Sequence, residues 1–485
     1  MNKTINLLLI GFGPHARRIY YPIITNETDK FNTKIVCAVD LKSQKKVIDE
    51  YLSKRNETLP VYYIKNPHQG KHIHKKTQIL LNKIVTQYNI KGIILATEPL
   101  AHVGYTYWAL SKGLNILMDK PISTVKNSSI SEQAAKQLIN DFKFLKTTYI
   151  KAKNKFNPLI FSLMAQRRYH PAFQKMKDLI REVFKETNCP VTSVQSFHSD
   201  GQWRLPSEII DIKYHSYNDG YGKCSHTGYH ALDIVPWLLE AAESPEKKIN
   251  NVDVFTNFVR PIDFISQFNL KDYEKVFPNF KKVNTYNEKQ FREKVNRYGE
   301  IDAFNSFAFK HDDRIITLAN LNFIHNGFSQ RGWLEPKKDL YKGNGRIRHE
   351  SHLIEQGPFQ AISFISYQSS EINLTNKNNL YDVGNEYHLD IHVFRNHNLF
   401  PKWKNYEKYS IKDLNQNIVT GYSRGHQEDA RRNCIIEFIN LVQGKTKQSL
   451  SNYLSHEKGT NLLSAVYLSA SKRFNKQNPL VNVMI

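Results

Sequence analysis

Residues 5–16 read Ile5-Asn6-Leu7-Leu8-Leu9-Ile10-Gly11-Phe12-Gly13-Pro14-His15-Ala16, an apolar run that stops at a glycine. The run has the length of one strand and shows no polar alternation, as expected of a strand covered on both faces of a parallel sheet. Gly11, Gly13 and Ala16 stand at the spacing G-x-G-x-x-A. The first glycine permits a tight turn. The second lets backbone N–H groups approach a pyrophosphate, and the third small residue lets the next helix pack against the strand. A second apolar strand, residues 34–39, ends in Asp40, 24 positions after Ala16 and near the spacing of a ribose-binding carboxylate. Asp40 favours NAD, because a carboxylate repels a 2′-phosphate, whereas Lys42 and Ser43 offer such a phosphate a cation and a hydroxyl. The balance leans mildly to NAD, with NADP kept open. Phe12 and His15 lie inside the same loop and are cofactor-contact candidates with it.

A second stretch, residues 114–123, reads Leu-Asn-Ile-Leu-Met-Asp-Lys-Pro-Ile-Ser: a short apolar strand ending in an acid, a lysine and a proline. Pro121 fixes its own backbone and biases Lys120 to an extended conformation. The lysine therefore sits on a stiff segment at a strand end, where open α/β sheets bind ligands. The bland reading is a surface lysine paired with Asp119.

The 485 residues are enough for two domains, and 40% hydrophobic content is globular. The net charge of +23 raises nucleic acid as a partner, but the basic residues are scattered and runs such as Lys281-Lys282 are short. A solvated lysine-rich surface is the favoured reading and nucleic acid is disfavoured. Cys37, Cys189, Cys224 and Cys434 have neither metal-ligand nor redox spacing, which suggests a reducing compartment. With no signal-peptide pattern and no apolar run of bilayer length, a soluble cytoplasmic protein is expected, with no membrane partner.

Strands are predicted around 7–10, 35–39, 93–96 and 115–118, with a helix between Thr97 and Gly113 carrying Val103, Tyr107, Leu110 and Leu114 on one face. Residues 66–77 read as an inserted His/Lys-rich loop. Beyond residue 155 the character changes. Residues 159–165 are strand-like, 171–183 read as an amphipathic helix, and strands follow at 192–198, 315–324 and 361–367. Residues 258–300 are charged and carry no assignable pattern. Two helices close the chain, one marked by Ala430, Cys434, Phe438 and Leu441 and stopped by Gly444, the other over 458–471. The expected division is 1–150 and 151–485.

Taken together, the chain resembles the glucose–fructose oxidoreductase / inositol dehydrogenase (Gfo/Idh/MocA) family. The resemblance rests on the turn Gly11–Ala16, on Ala96-Thr97-Glu98-Pro99 with His102, and on Asp119-Lys120-Pro121. It continues through Gln166-Arg167-Arg168-Tyr169-His170-Pro171 and Gly228-Tyr229-His230-Ala231-Leu232-Asp233 to the two last helices. The usual signature has glutamate where this chain has Asp119. The resemblance implies an α/β fold: an N-terminal Rossmann domain with a doubly wound parallel sheet, then an α+β domain with an open, mostly antiparallel sheet. It also implies NAD or NADP held by Gly11, Phe12, Gly13, His15, Ala16, Asp40, Thr97, Pro99, His102, Asp119, Lys120 and Arg168. The implied activity is hydride transfer to or from a CH–OH group of a sugar, polyol or sugar derivative. A homo-oligomer, dimer or tetramer, is implied through the exposed sheet face. The alternative is a nucleotide-binding regulatory or assembly protein that keeps the fold without turnover.

Alcohol oxidation needs a base for the hydroxyl proton and a donor that steadies the oxygen as it gains charge. Lys120 suits the second task, and the resemblance assigns His230 to the first. Many members carry aspartate four residues before this histidine, and here that position is His226. On an α-helix the two histidines would share a face. No metal is expected, since the pair lacks the glutamate of H-E-x-x-H. Asp233 is a candidate restraint on the histidines. Trp203 and Arg204 are sugar-binding candidates, through stacking and forked donors. Arg167, and the group Arg346, Arg348 and His349, are further polar candidates.

Overall fold

The protein was analysed as a computed structural model, which describes residues 4–65, 70–213, 215–335, 345–369, 380–415 and 425–485. Two compact units result, and the chain does not divide once near residue 150. The first unit comprises Met1–Thr124, Leu138–His170 and Gln427–Thr460, and the second Val125–Gln137, Pro171–His426 and Asn461–Ile485.

In the first unit six strands form one sheet: β1 (Ile5–Ile10), β2 (Thr33–Leu41), β3 (Val61–Ile64), β4 (Gly92–Leu95), β5 (Asn115–Met118) and β6 (Phe161–Leu163). They are all parallel, in the order β3-β2-β1-β4-β5-β6. This doubly wound order reverses at β1, and ligands bind such sheets beyond the strand ends at that reversal. Alternate side chains enter two cores. Leu8, Ile10, Ile93, Leu95, Ile116 and Met118 face one, while Leu7, Leu9, Ile94 and Leu117 face the other. The second core is closed by Ala430, Cys434, Ile435, Phe438 and Ile439 of the helix His426–Val442. That apolar burial draws residues 427–460 into the first unit.

The helix after the glycine turn is short, Pro14–Arg18, and helix resumes at Tyr20–Asn26. Pro22 has no N–H to bond the Arg18 carbonyl, so one continuous helix cannot form. The helix His102–Ser111 is buried on nearly all sides rather than along one stripe. Of the stretch read as a loop at 66–77, residues 66–69 lie outside the described residues, and Lys75 already opens the helix Lys75–Gln87.

In the second unit nine strands form one sheet: β7 (Ser193–Ser199), β8 (Asn251–Val259), β9 (Asp302–His311), β10 (Arg314–Ile324), β11 (Ile347–Gln356), β12 (Gln360–Ser369), β13 (Asp390–Arg395), β14 (Tyr406–Ser410) and β15 (Val481–Met484). The order is β14-β13-β12-β11-β7-β10-β9-β8-β15, and only β7 and β10 pair in parallel. The helix Pro171–Thr187 packs on one face through Phe173, whose ring lies 5.2 Å from Phe364 of β12. On the other face Phe304, Leu318, Leu353 and Phe394 are exposed.

Residues 258–300, unassigned from sequence, fold into four short helices: Pro261–Gln267, Leu270–Val276, Phe280–Val283 and Glu288–Val295. Their apolar residues are spread over short segments, so no single helix shows a readable period. Phe264, Tyr273, Phe280 and Phe291 gather around Leu205, Ile209 and Tyr217 as a separate core.

Tyr453 anchors the returning segment of the first unit. Its ring stacks on Phe161 at 4.3 Å and on Phe142 at 4.8 Å, and its hydroxyl donates to the Phe142 carbonyl at 2.7 Å. Replacing Tyr453 with Ala is expected to destabilise the first unit by about 3–5 kcal/mol, by analogy with other large buried aromatic deletions. A lowered midpoint in urea unfolding checks this.

Candidate functional site

In the first unit the glycine turn is held at three strand ends. Gly11 has φ +90°, and its N–H donates to the Val39 carbonyl at 2.9 Å. A Cβ at Gly11 would stand 2.5 Å from the Ala96 carbonyl oxygen, so only glycine fits. At Gly13 a Cβ would meet nothing within 4 Å. The backbone there borders open space, as a loop that cradles a pyrophosphate requires. Ala16 is fully buried, which allows the close helix–strand approach. Pro14 removes one N–H from the helix start.

Asp40 ends β2 half-buried. Its Oδ2 accepts the Phe12 N–H and its Oδ1 accepts the Leu41 N–H, each at 2.6 Å. Burial raises its carboxyl above the usual value, opposed by those two N–H groups and by Arg17. Each oxygen keeps lone-pair capacity for a ribose hydroxyl.

Beyond β5, the Asp119 N–H donates to the Leu95 carbonyl at 2.8 Å, and Asp119 Oδ1 accepts the Lys120 N–H at 2.8 Å. Asp119 Oδ2 lies 3.7 Å from His15 Nε2, which brings the glycine loop and the Asp-Lys-Pro segment together. Burial raises the Asp119 carboxyl, with the Lys120 charge pulling the other way. Lys120 is half-buried and precedes a cis bond to Pro121. Thr97 and Pro99 border the same strand ends, the latter in the short turn Pro99–Ala101.

Two of the residues expected at the cofactor have side chains engaged within the protein. The His102 side chain is fully buried, with Nδ1 2.9 Å from the Pro121 carbonyl oxygen and Nε2 3.1 Å from that of Thr97. Burial depresses it to about 4, against the pull of both carbonyls, so it is a neutral staple between two loops. Arg168 is buried and donates to the Leu450 carbonyl, the Ser455 hydroxyl and the Ser455 carbonyl at 2.7–3.1 Å. Its fork fastens residues 450–455. Arg167 is buried as well.

In the second unit His226 lies in a π-helical turn, Cys224–Gly228, and His230 on the helix that continues it, Tyr229–Leu239. The wider turn changes the angular spacing of the side chains from that of an uninterrupted α-helix. His226 packs its ring 4.5 Å from that of His215, His230 is half-buried and Asp233 is buried.

Trp203, expected at a sugar, is partly buried. Its Nε1 donates to the Tyr273 hydroxyl at 3.1 Å, and its ring packs among Phe268, Tyr273 and Phe277. Arg204 is buried in a closed ring of bonds. It donates to the Tyr217 hydroxyl (3.3 Å) and to Gln202 Oε1 (3.0 Å), while His325 contacts Gln202 through Nε2 (2.8 Å) and Tyr217 through Nδ1. Arg346, Arg348 and His349 do not converge. Arg346 holds Asp200, Arg348 pairs with Glu350 at 3.1 Å, and the His349 ring lies between Phe197 and Tyr367.

Sequence reading missed the buried polar group around the π turn. Lys223 Nζ donates to Asp200 Oδ2 at 2.6 Å and to His198 Nδ1 at 2.9 Å. Burial would raise Asp200, but Lys223 overrides it and holds the carboxyl well below the usual range. Burial, aided by the Lys223 charge, keeps His198 neutral. Glu300 Oε1 accepts the Cys224 N–H (2.8 Å) and the Tyr467 hydroxyl (2.9 Å). The sequence hid it, because Asp219 stands four residues before Lys223 as an apparent partner, whereas the structure pairs Lys223 with Asp200 and Asp219 with Lys126.

Burial pushes Glu300 up to about 7 from 4.5, against the N–H and hydroxyl bonds that favour the anion. The neutral form is therefore favoured by folding. That contribution is complete below about pH 4.5 and is lost as pH rises through 7. Glu300→Gln keeps both acceptor bonds and removes the charge. Its thermal unfolding is expected to match wild type at pH 5 and to exceed it at pH 8, by on the order of 3 kcal/mol. Equal pH slopes for the two proteins would contradict this.

No protein-family model matches the sequence, and no curated protein sequence matches it. Solved structures do match over the whole chain. The WlbA dehydrogenase from Bordetella pertussis, in complex with NADH and UDP-GlcNAcA, is 11% identical with TM-score 0.55, covering 100% of this chain and 99% of its own. An oxidoreductase from Agrobacterium radiobacter, in complex with NAD+, L-tartaric acid and magnesium, is 12% identical with TM-score 0.56, covering 99% and 98%. An oxidoreductase domain protein from Kribbella flavida is 11% identical with TM-score 0.59, covering 100% and 99%. The fold is shared with these oxidoreductase structures. Among the described residues, no helix is long and apolar enough to cross a membrane.

Proposed function

We propose that this chain is an NAD(P)-dependent oxidoreductase that transfers hydride to or from a CH–OH group of a sugar, polyol or sugar derivative. The observation that carries the reading is the strand end of the first unit. There a glycine turn bordering open space, the Asp40 carboxylate and the Asp119-Lys120-Pro121 segment meet at the reversal of strand order. The solved structures of this fold that hold NAD+ or NADH support the same reading.

Gly11, Phe12, Gly13, His15 and Ala16 would hold the pyrophosphate, and Asp40 the ribose, with NAD mildly favoured over NADP. The nicotinamide, when bound, supplies the carbon that accepts or returns hydride. Lys120 donates to the substrate oxygen and steadies its developing negative charge. His230 takes or returns the hydroxyl proton, a task an imidazole performs near neutral pH in either direction. His226 and Asp233 are the further substrate contacts of this reading, together with Trp203 and Arg204.

The exposed face of the nine-stranded sheet supports a homo-oligomer. Phe304, Leu318, Leu353 and Phe394 are 37–56% exposed on that face, interspersed with polar residues, and association would cover them.

The purified chain is expected to quench and blue-shift NADH fluorescence on binding. With a responsive substrate from a panel of polyols, sugar acids and nucleotide sugars, Lys120→Met and His230→Asn each lower kcat by about 10²–10⁴-fold. Failure to bind either NADH or NADPH would overturn the reading. Tight binding with no turnover would favour the regulatory or assembly alternative. In light scattering, Leu318→Lys combined with Phe394→Lys is expected to convert an oligomer to monomer.

A further inference from the structure

The segment Cys224–Gly228 is wound as a π-helix, a geometry that is rare and does not persist without support. The support here comes from two carboxylates on other elements. Glu300 holds the start of the segment. Its carbonyl accepts the Lys223 N–H at 3.0 Å and its Oε1 accepts the Cys224 N–H at 2.8 Å. Asp200, just past the end of β7, holds the other side. Its Oδ2 accepts both Lys223 Nζ at 2.6 Å and the Thr227 hydroxyl at 2.9 Å, four residues apart on the same helix. Arg346 fixes Asp200 in turn, donating Nε to its carbonyl at 2.8 Å and Nη2 to its Oδ1 at 3.1 Å. The Asp200 N–H donates to the Ile324 carbonyl at 2.8 Å, which fastens it to β10.

One carboxylate oxygen therefore staples two successive turns of the helix to the rigid sheet. The extra residue of the π turn rotates everything downstream of it by most of a helical step. Gly228 closes the turn against Phe323 of β10, where a Cβ would come within 2.7 Å of the ring. His230 follows two residues later. The azimuth of His230 is thus set by whether the π turn holds, and Thr227 is the last side chain of the turn that is tied to the sheet.

We propose that Asp200, acting through Thr227, is a positioning residue for His230. The staple keeps the π turn wound and so fixes where that imidazole points. The inference rests on the proposed role of His230 for its catalytic consequence, but not for its structural one. Neither Asp200 nor Thr227 was singled out by the sequence for any role.

The test uses the full chain with Thr227→Val, which replaces the hydroxyl by a methyl of similar volume, and Thr227→Ser, which keeps the hydroxyl. Where a substrate is turned over, Thr227→Val is expected to lower kcat by about 10-fold or more, as small misplacements of a reacting group do. KM for NADH stays unchanged, and Thr227→Ser restores the rate. A role confined to stability would lower the melting temperature of Thr227→Val and leave kcat at the wild-type value, which would overturn the proposal.

A second arm does not need turnover. With histidine Cε1 labelled by carbon-13, and His230 assigned by loss of its signal in His230→Asn, the His230 resonance and titration midpoint are followed. Both are expected to move in Thr227→Val, the midpoint by about 0.5 unit or more, and to return in Thr227→Ser. An unmoved His230 signal in Thr227→Val would overturn the proposal even in a protein that shows no turnover. Absent NADH binding would overturn the oxidoreductase reading instead, and would leave this arm to decide the positioning claim by itself.

Discussion

The constraint on which the first unit depends is the approach of Gly11 to the backbone of the neighbouring strand end. Three strands meet there. The Gly11 N–H reaches the Val39 carbonyl, the Ala96 N–H reaches the Ile10 carbonyl, and the Phe12 N–H reaches the Asp40 carboxylate. The positive φ of Gly11 makes the turn, and the missing Cβ makes room for the Ala96 carbonyl. A side chain at this point would push apart the strand ends on which Asp40 and Asp119 are carried.

The two units solve the problem of polar groups at a site in different ways. In the first, backbone N–H groups and one histidine staple leave the loops fixed but bordered by open space. In the second, charges are taken out of water and matched, Lys223 and Arg346 against Asp200 and Arg331 against Glu208. Removing one member of such a pair leaves an uncompensated buried charge, which is strongly destabilising. That arithmetic gives these groups little freedom to vary, and it makes them a stiff mount for the helix that bears His226 and His230.

How much of this was legible follows from the range of each signal. Strands β1, β2, β4, β5 and β6 were readable because each is a short, continuous apolar run, whereas β3, Val61-Tyr62-Tyr63-Ile64, was not assigned from the sequence. The glycine turn and Asp40 were readable because their spacing is local. β11 was not, since Ile-Arg-His-Glu-Ser-His-Leu-Ile-Glu-Gln carries buried Glu350 and His352 on its inner side, and these mask the alternation. The structural partners of His102, Arg168 and Trp203 were not legible for a related reason. Their partners are Pro121 and Thr97, Ser455, and Tyr273, and nothing within a residue's own neighbourhood shows whether its polar end is already taken. The π turn was invisible because its supports, Asp200 just after β7 and Glu300 just before β9, are distant from it in sequence.

The threading of the chain bears on how the protein can be dissected. The first unit is assembled from three separate lengths of polypeptide, and the helix that completes one of its cores arrives more than 300 residues after strands β1, β4 and β5. A fragment cut near residue 150 would lack both that helix and β6, leaving the core covered only by its N-terminal helices. During synthesis the ribosome releases this sheet long before its cover is complete, so the part left open is a natural client surface for a chaperone.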